Sequence, residues 1–230
     1  MEQKEFLDVL SINEARERLN SYLTLEPGVE KVELSNALGR IIAEDIIADV
    51  DVPPFDRAAM DGYALRASDT FYADEEKPVE LRLAGYIPAG SRKSLDVEKG
   101  RCAGIATGAP IPKGANSVVM VEFTERIDRI VRIYRPVAPG ENIMAAGADI
   151  MRGETALRKE MLISLREMGV LAALGIKNVN VYKKPKVAIF STGDEIVEPG
   201  RKLAFGEIFD ANANAIAGAV AENGGVPVFL

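Results

Sequence analysis

KPKVAIFSTGDEIVEPGRKLAFGEIFDANANAIAGAVAENGGVPVFL, residues 184–230, is the stretch that decides the fold. KPKVAIF (184–190) is a compact apolar run of strand length. GEIFDANANAIAGAVAENGG (206–225) contains an Ala-rich helix with glycine beyond its end. VPVFL (226–230) is a second apolar strand. Strand, loop, helix, strand is a βαβ unit, which belongs in a parallel sheet with its site at the carboxyl ends of the strands. Two parallel strands and one helix cannot cover both faces of a sheet. The expectation is therefore an α/β domain that has begun by residue 184 and is cut within its sheet at Leu230.

Working outward, Ser164 and Glu167 have capping-box spacing, and MGVLAALG (168–175) reads as a helix ending at Gly175. Between about residues 50 and 145 the texture changes to short alternating runs: VELRLAGYI (79–87), SVVMVEF (117–123) and RIVRIYRPV (129–137). Gly and Pro punctuate them, as in IPAG (87–90), GAPIPKG (108–114) and APG (138–140), so this part reads as a small β domain. Near the start, Ser11 and Glu14 form a second capping-box pattern. Ile12, Ala15, Leu19 and Leu23 follow at near-helical spacing and predict a helix over 12–23. Ser35 to Asp45 reads as a shorter helical stretch, weakened by Gly39.

Composition narrows the chemistry. The 230 residues are 47% hydrophobic and 27% charged, and 28 Lys+Arg against 35 Asp+Glu leave a net charge of −7. An acidic chain with 6% aromatic residues is poorly suited to nucleic acid or an anionic membrane. No apolar run reaches the roughly 18 residues of a membrane span, and MEQKEFLDVL lacks a secretory apolar core. Cys102 stands alone, without a disulfide partner, and reads as a small buried hydrophobe. These features fit a cytoplasmic protein. The chain has no His. Ser-His and Cys-His catalysis and His-based zinc sites are thereby excluded, acid–base work falls to Asp and Glu, and a metal needs oxygen ligands, which suits Mg²⁺.

Four segments carry candidate chemistry. PPFDRAAMDGYAL (53–65) fixes an approach with two prolines and presents Asp61 beside Gly62, where a Cβ would block a required geometry or contact. IATGAPIPKGANSVVMVE (105–122) places Thr107, a donor and acceptor, before Gly108. GENIMAAGADI (140–150) sets Asp149 just after Gly147. VAIFSTGDEI (187–196) ends a buried strand with Ser191, Thr192 and Gly193, whose N–H and hydroxyl groups can cradle an anion. Asp194 and Glu195 follow, where they can hold Mg²⁺. Read singly, each segment is also an ordinary turn or solvated loop.

Together and in this order, PPFDRAAMDGYA, TGAPIPKGA, STGDE and the following GEIFDANA resemble the molybdopterin molybdenumtransferase family, the MoeA family that includes the gephyrin E domain. The resemblance runs from about residue 5 to the end. It implies an α+β and α/β multidomain fold. An elongated mixed linker domain (1–50 with 145–183) would carry an inserted small β domain (51–144), followed by the start of a three-layer α/β molybdopterin-binding domain (184–230). It implies Mg²⁺-dependent insertion of molybdate, or tungstate, into adenylylated molybdopterin with release of AMP. Asp61, Thr107, Asp149 and Glu195 match the family's catalytic positions. Gly62, Gly108, Ser191, Thr192, Gly193 and Asp194 fall at cofactor-binding positions, and Asp194 and Glu195 at metal positions. It further implies a homodimer supplied by a molybdopterin adenylyltransferase, with no nucleic acid or membrane partner.

Two positions depart from the family pattern. Met144 stands where an Arg usually follows GEN-I/V, and Ala148 where an acidic residue often precedes the aspartate. Loss of the guanidinium removes a fork-shaped anion donor from this loop, with Arg152 and Lys159 as neighbouring cations. The family's later segments, with a Ser-Gly-Gly loop and a Lys-Pro-Gly-Lys run, do not occur in these 230 residues, so the span alone is expected to be weakly active or inactive. The alternatives are a non-catalytic dimeric scaffold and a pterin carrier that leaves AMP intact.

Overall fold

The alternation read in the middle of the chain builds one six-stranded sheet. Its order is Ser117–Met120, Gly62–Leu65, Arg101–Ile105, Val79–Ile87, Ile130–Ile133, Thr124–Ile127. All neighbours are antiparallel except Val79–Ile87 with Arg101–Ile105, which run parallel with a register shift between Leu83 and Gly85. The computed structural model describes residues 10–23, 26–92 and 95–230. The reading of MEQKEFLDVL thus falls almost wholly outside the described residues. Packing divides the chain into two compact units, residues 45–158 with 169–176, and residues 1–44, 159–168 and 177–230.

In the first unit the sheet is buried on both faces. Side chains alternate along a strand, so Ala64, Ala103, Ile105 and Val118 join one apolar cluster with Ile87 and Val97. Leu65, Cys102, Val119, Val131 and Ile133 join the other with Leu81 and Val137. Burial on both sides explains why RCAGI (101–105) shows no hydrophobic alternation and is the strand least visible in the sequence. VELRLAGYI is a strand over its whole length, Val79–Ile87. SVVMVEF gives a strand only over Ser117–Met120 before a 3₁₀ turn, and RIVRIYRPV only over Ile130–Ile133. Cys102 lies fully within the core, and burial pushes its thiol up to about 12, so it behaves as a hydrophobe.

In the second unit, helix α1 (Ile12–Tyr22) has the full capping box expected of Ser11 and Glu14. It buries none of its residues, and Ile12, Leu19 and Tyr22 are exposed. The helix expected over 35–45 does not form. After a single 3₁₀ turn at Leu34–Asn36, Gly39 takes a positive φ of 73°. The amides of Gly39, Ile42 and Ala43 then donate to the carbonyls of Ile163, Met161 and Asn180. Pairing with distant segments of the same chain has replaced the i→i−4 ladder, which Gly39 disfavours. Strand Val29–Glu33 pairs antiparallel with Asn178–Tyr182. Arg40 clips the pair, donating to the Glu30 carboxylate and to the Tyr182 carbonyl at 2.7 Å.

Helix α2 (Leu165–Ala173) follows the Ser164–Glu167 box and closes at Gly175, φ +74°. The order strand, helix, strand forms as read, but the strand read as buried is mostly exposed, with Ile189 alone of its side chains in the core. Strands Lys186–Ile189 and Val226–Phe229 are parallel, joined through helix α3 (Ala211–Glu222). A small parallel pair, Ile196–Val197 with Ile208–Phe209, ties down the intervening loop. The chain is a mixed α+β fold. Among the described residues no helix is long and apolar enough to cross a membrane.

Candidate functional site

The Met-Asp-Gly turn enters the central sheet at a crowded point. Gly62 opens the strand Gly62–Leu65, hydrogen-bonded between two neighbours. A Cβ on Gly62 would lie 1.9 Å from the Val119 carbonyl oxygen and 2.9 Å from its carbon. Its φ is not positive, so the glycine answers to close approach and not to turn geometry. Gly62 thereby draws the chain in and leaves Asp61 at the sheet's exposed rim. There one oxygen of Asp61, Oδ1, accepts from the Thr107 backbone N–H at 2.7 Å and from its hydroxyl at 3.0 Å. The Thr107 N–H bond and then the hydroxyl hold the Asp61 carboxyl below the ordinary aspartate range, so it is ionised at neutral pH. Gly108, φ +78°, turns the chain behind Thr107 and donates its N–H to the Ala58 carbonyl. Beside Asp61 is a shallow cavity of about 340 Å³ lined by Gly62, Tyr63, Tyr86, Gly104 and Arg126.

Asp149 belongs to a different anchoring. The Val52–Pro53 peptide is cis, and the Pro53 and Val52 carbonyls accept from the amides of Gly147 and Asp149. The 147–149 turn is thereby fixed to the start of the PPFDRAAMDG run, with the Asp149 side chain exposed. No hydrogen bond joins Asp149 to the Asp61–Thr107 pair. Met144 is paired in register with Arg57, whose Nε and Nη2 lie 3.3 and 3.0 Å from the Met144 sulfur. A guanidinium therefore stands beside Met144, supplied by the neighbouring strand. The backbone amide of Arg152 is held by Asp51, and Lys159 lies over the Tyr182 ring.

In the second unit STGDE occupies the carboxyl end of the strand Lys186–Ile189, as the βαβ reading requires. Gly193 has φ +147°, a conformation that favours glycine. A Cβ there would also meet the Glu195 carboxylate at 2.6 Å. Among the described residues the amides of Thr192, Gly193 and Asp194 find no backbone carbonyl. Asp194 and Glu195 are exposed side by side on the turn. Among the described residues no group of three or more His, Cys, Asp or Glu side chains could hold a metal. A cavity of about 430 Å³ opens here, walled by Ile189, Val197 and Phe229 and edged by Ser191, Asp210 and Asn214.

Asp210 is the residue that sequence reasoning passed over. Its Oδ1 caps α3 through the Ala213 N–H at 2.9 Å, and its Oδ2 accepts from the Ser191 hydroxyl at 2.6 Å. The Ser191 bond and then the Ala213 amide lower its carboxyl pKa. An aspartate before an Ala-rich helix is a readable capping signal. Its second contact, 19 residues away, is not. In both units a hydroxyl proton is committed to a carboxylate, Thr107 to Asp61 and Ser191 to Asp210. Neither hydroxyl, so arranged, offers a proton to an oxyanion.

Known proteins match this chain over most of its length. The family described as MoeA N-terminal region (domain I and II) matches residues 10–175. Molybdopterin molybdenumtransferase of Nostoc sp. is 38% identical over 208 residues, covering 90% of this chain and 48% of that protein. Molybdopterin molybdenumtransferase 2 of Mycobacterium tuberculosis is 37% identical over 197 residues, covering 86% and 49%. The crystal structure of a molybdopterin biosynthesis MoeA protein from Pyrococcus horikoshii superposes with a TM-score of 0.85 at 43% identity, over 96% of this chain and 56% of that one. The chain spans about half the length of these relatives.

Proposed function

The chain belongs to the MoeA family of molybdenum cofactor biosynthesis, of which it carries the N-terminal region, and from that membership we propose molybdopterin molybdenumtransferase activity for the protein. The substrates are molybdate, or tungstate, and adenylylated molybdopterin. The observation that carries the reading is the match to molybdopterin molybdenumtransferases over 86–90% of the chain, and it centres on the Asp61–Thr107 clamp, in which a rim carboxylate and a threonine from two distant segments are locked together by two hydrogen bonds.

The reaction has two balanced parts. The two dithiolene sulfurs bind molybdenum as one oxo group leaves as water, carrying both thiol protons. Water cleaves the phosphoanhydride, giving AMP and the pterin's own phosphate. The ionised Asp61 is suited to accept a hydrogen bond or proton and to hold Thr107 in place, not to act as an acid. Asp149 is a second carboxylate for positioning. The unbonded amides of Thr192 to Asp194 supply donors for an anionic group of the ligand.

Mg²⁺ fits the donors present. Asp194 and Glu195 are hard oxygen ligands on one exposed turn, and Mg²⁺ is usually held by one or two carboxylates with phosphate and water completing its shell. When bound there it neutralises charge on the phosphoanhydride. The exposed Ile12, Leu19 and Tyr22 of α1 support a homodimer, and a cytoplasmic enzyme supplied by a molybdopterin adenylyltransferase completes the reading. The test is AMP release from adenylylated molybdopterin, with molybdate and Mg²⁺ omitted in turn. The reading requires release to depend on both. Tight binding of the pterin with AMP left intact favours a carrier instead.

A further inference from the structure

We propose that Asp210 is a positioning residue that fixes the polarity of Ser191, so that the strand-end cavity receives an electropositive group of its ligand, an N–H or O–H donor, at Ser191 and not an oxyanion. The inference rests on the proposed function, because it concerns which part of that substrate this pocket takes.

The argument starts from the two oxygens of one carboxylate. Oδ1 accepts from the Ala213 amide at 2.9 Å and holds the first turn of α3. That bond alone would satisfy a helix cap. Oδ2 does something the helix does not need: it accepts the Ser191 proton at 2.6 Å, from a residue at the end of the preceding strand. An ionised carboxylate only accepts, so Ser191 must donate. With its single proton committed, the Ser191 oxygen has only lone pairs left for the cavity. Asp210 contributes its own negative charge beside it, and the walls from Ile189, Val197 and Phe229 are apolar. Such a corner accepts N–H or O–H groups on a flat, partly apolar body. An oxyanion placed there would face two acceptors. The donors for an anionic group lie farther along the same loop, at the Thr192 to Asp194 amides.

Asp210→Asn separates this role from the cap. Asn and Asp cap helices about equally well, so Oδ1 can still receive the Ala213 amide. The second atom becomes an NH₂ that donates to Ser191 and turns the hydroxyl outward as a donor. Equilibrium binding of adenylylated molybdopterin is measured by calorimetry on the parent, Asp210→Asn, Ser191→Ala and the double variant, with thermal melts of each. The expected result is parent-like melting, affinity lowered about tenfold or more in each single variant, and no further loss in the double variant, because both act on one contact. Asp210→Ser, which also keeps a capping oxygen, shows the same loss. Parent-like affinity for Asp210→Asn, or losses that add in the double variant, overturns the proposal while leaving the molybdenumtransferase reading intact. A complete enzyme carrying these residues that neither binds nor cleaves the adenylylated pterin refutes that reading, and this inference with it.

Discussion

Replacing Gly62 by Ala tests whether the Met-Asp-Gly turn is a packing requirement. The added Cβ would sit 1.9 Å from the Val119 oxygen and 3.1 Å from the Met120 Cα, where ordinary contact begins at 3.4 Å. Both obstacles are backbone, and both belong to a strand paired to Gly62. Neither can move away without opening the ladder between Gly62–Leu65 and Ser117–Met120, under which Ala64, Leu65, Val118 and Val119 are fully buried. Overpacking a well-filled core costs about 1–3 kcal/mol, and a clash with fixed backbone belongs at the upper end. At roughly 2–4 °C per kcal/mol for a chain of this size, about 3 kcal/mol lowers the melting temperature by about 6–12 °C. Gly104→Ala is the matched control. Its Cβ meets mainly the Tyr86 ring, at 2.9 Å, and Tyr86 is 65% exposed and can swing away, so its shift stays below about 3 °C. Differential scanning calorimetry on both variants decides the matter. A Gly62→Ala protein melting within a degree of the parent, or below Gly104→Ala in its effect, would refute the reasoning.

Three further outcomes follow from contacts already described. The Asp61 carboxyl titrates below the ordinary aspartate range in carbon NMR, and Thr107→Val raises it only part of the way, since the larger contribution from the backbone N–H remains. Because the folded pKa is depressed, the stabilisation from this clamp is complete above the unfolded aspartate pKa and is lost as pH falls through the folded value; an Asp61 titration unchanged by Thr107→Val contradicts the assignment. Cys102, with its thiol pushed up to about 12 by burial, resists a thiol reagent at pH 8 in the native protein and reacts promptly in denaturant; rapid native labelling would count against its place in the core. Arg40→Leu leaves the Glu30 carboxylate and the Tyr182 carbonyl without their partner and destabilises the protein by about 1–3 kcal/mol, measured by urea denaturation; a neutral effect would show the clip to be dispensable.

The parts of this fold that could be read from sequence are those in which local pattern and tertiary setting agree. Ser11 with Glu14 and Ser164 with Glu167 announce helices because a cap is a contact three residues long. Lys186–Ile189 and Val226–Phe229 are legible because each is a short apolar run bounded by turn residues, although of their side chains only Ile189 is buried. Arg101–Ile105 was hidden because two buried faces erase alternation and glycine and alanine carry little signal. Residues 35–45 misled because their amides are satisfied by Met161, Ile163 and Asn180, partners that no local window contains. At the candidate site, Asp61 and Thr107 were each legible in a motif, but their bond spans 46 residues and only the sheet brings them together. Asp210 and Arg57 show the limit more sharply. One carries only a capping signal and the other none at all, and what distinguishes them is the partner that the fold places beside each.

The most direct measurement is the rate of molybdate-dependent AMP release from adenylylated molybdopterin by a complete enzyme carrying these residues and by its Asp61→Asn and Glu195→Gln variants, with folding of each checked by its melt. The account predicts that both variants keep the parent's fold and lose most of the activity, Asp61→Asn by weakening the Thr107 clamp and Glu195→Gln by removing a carboxylate proposed to hold Mg²⁺. Release at the parent's rate by both variants would contradict it.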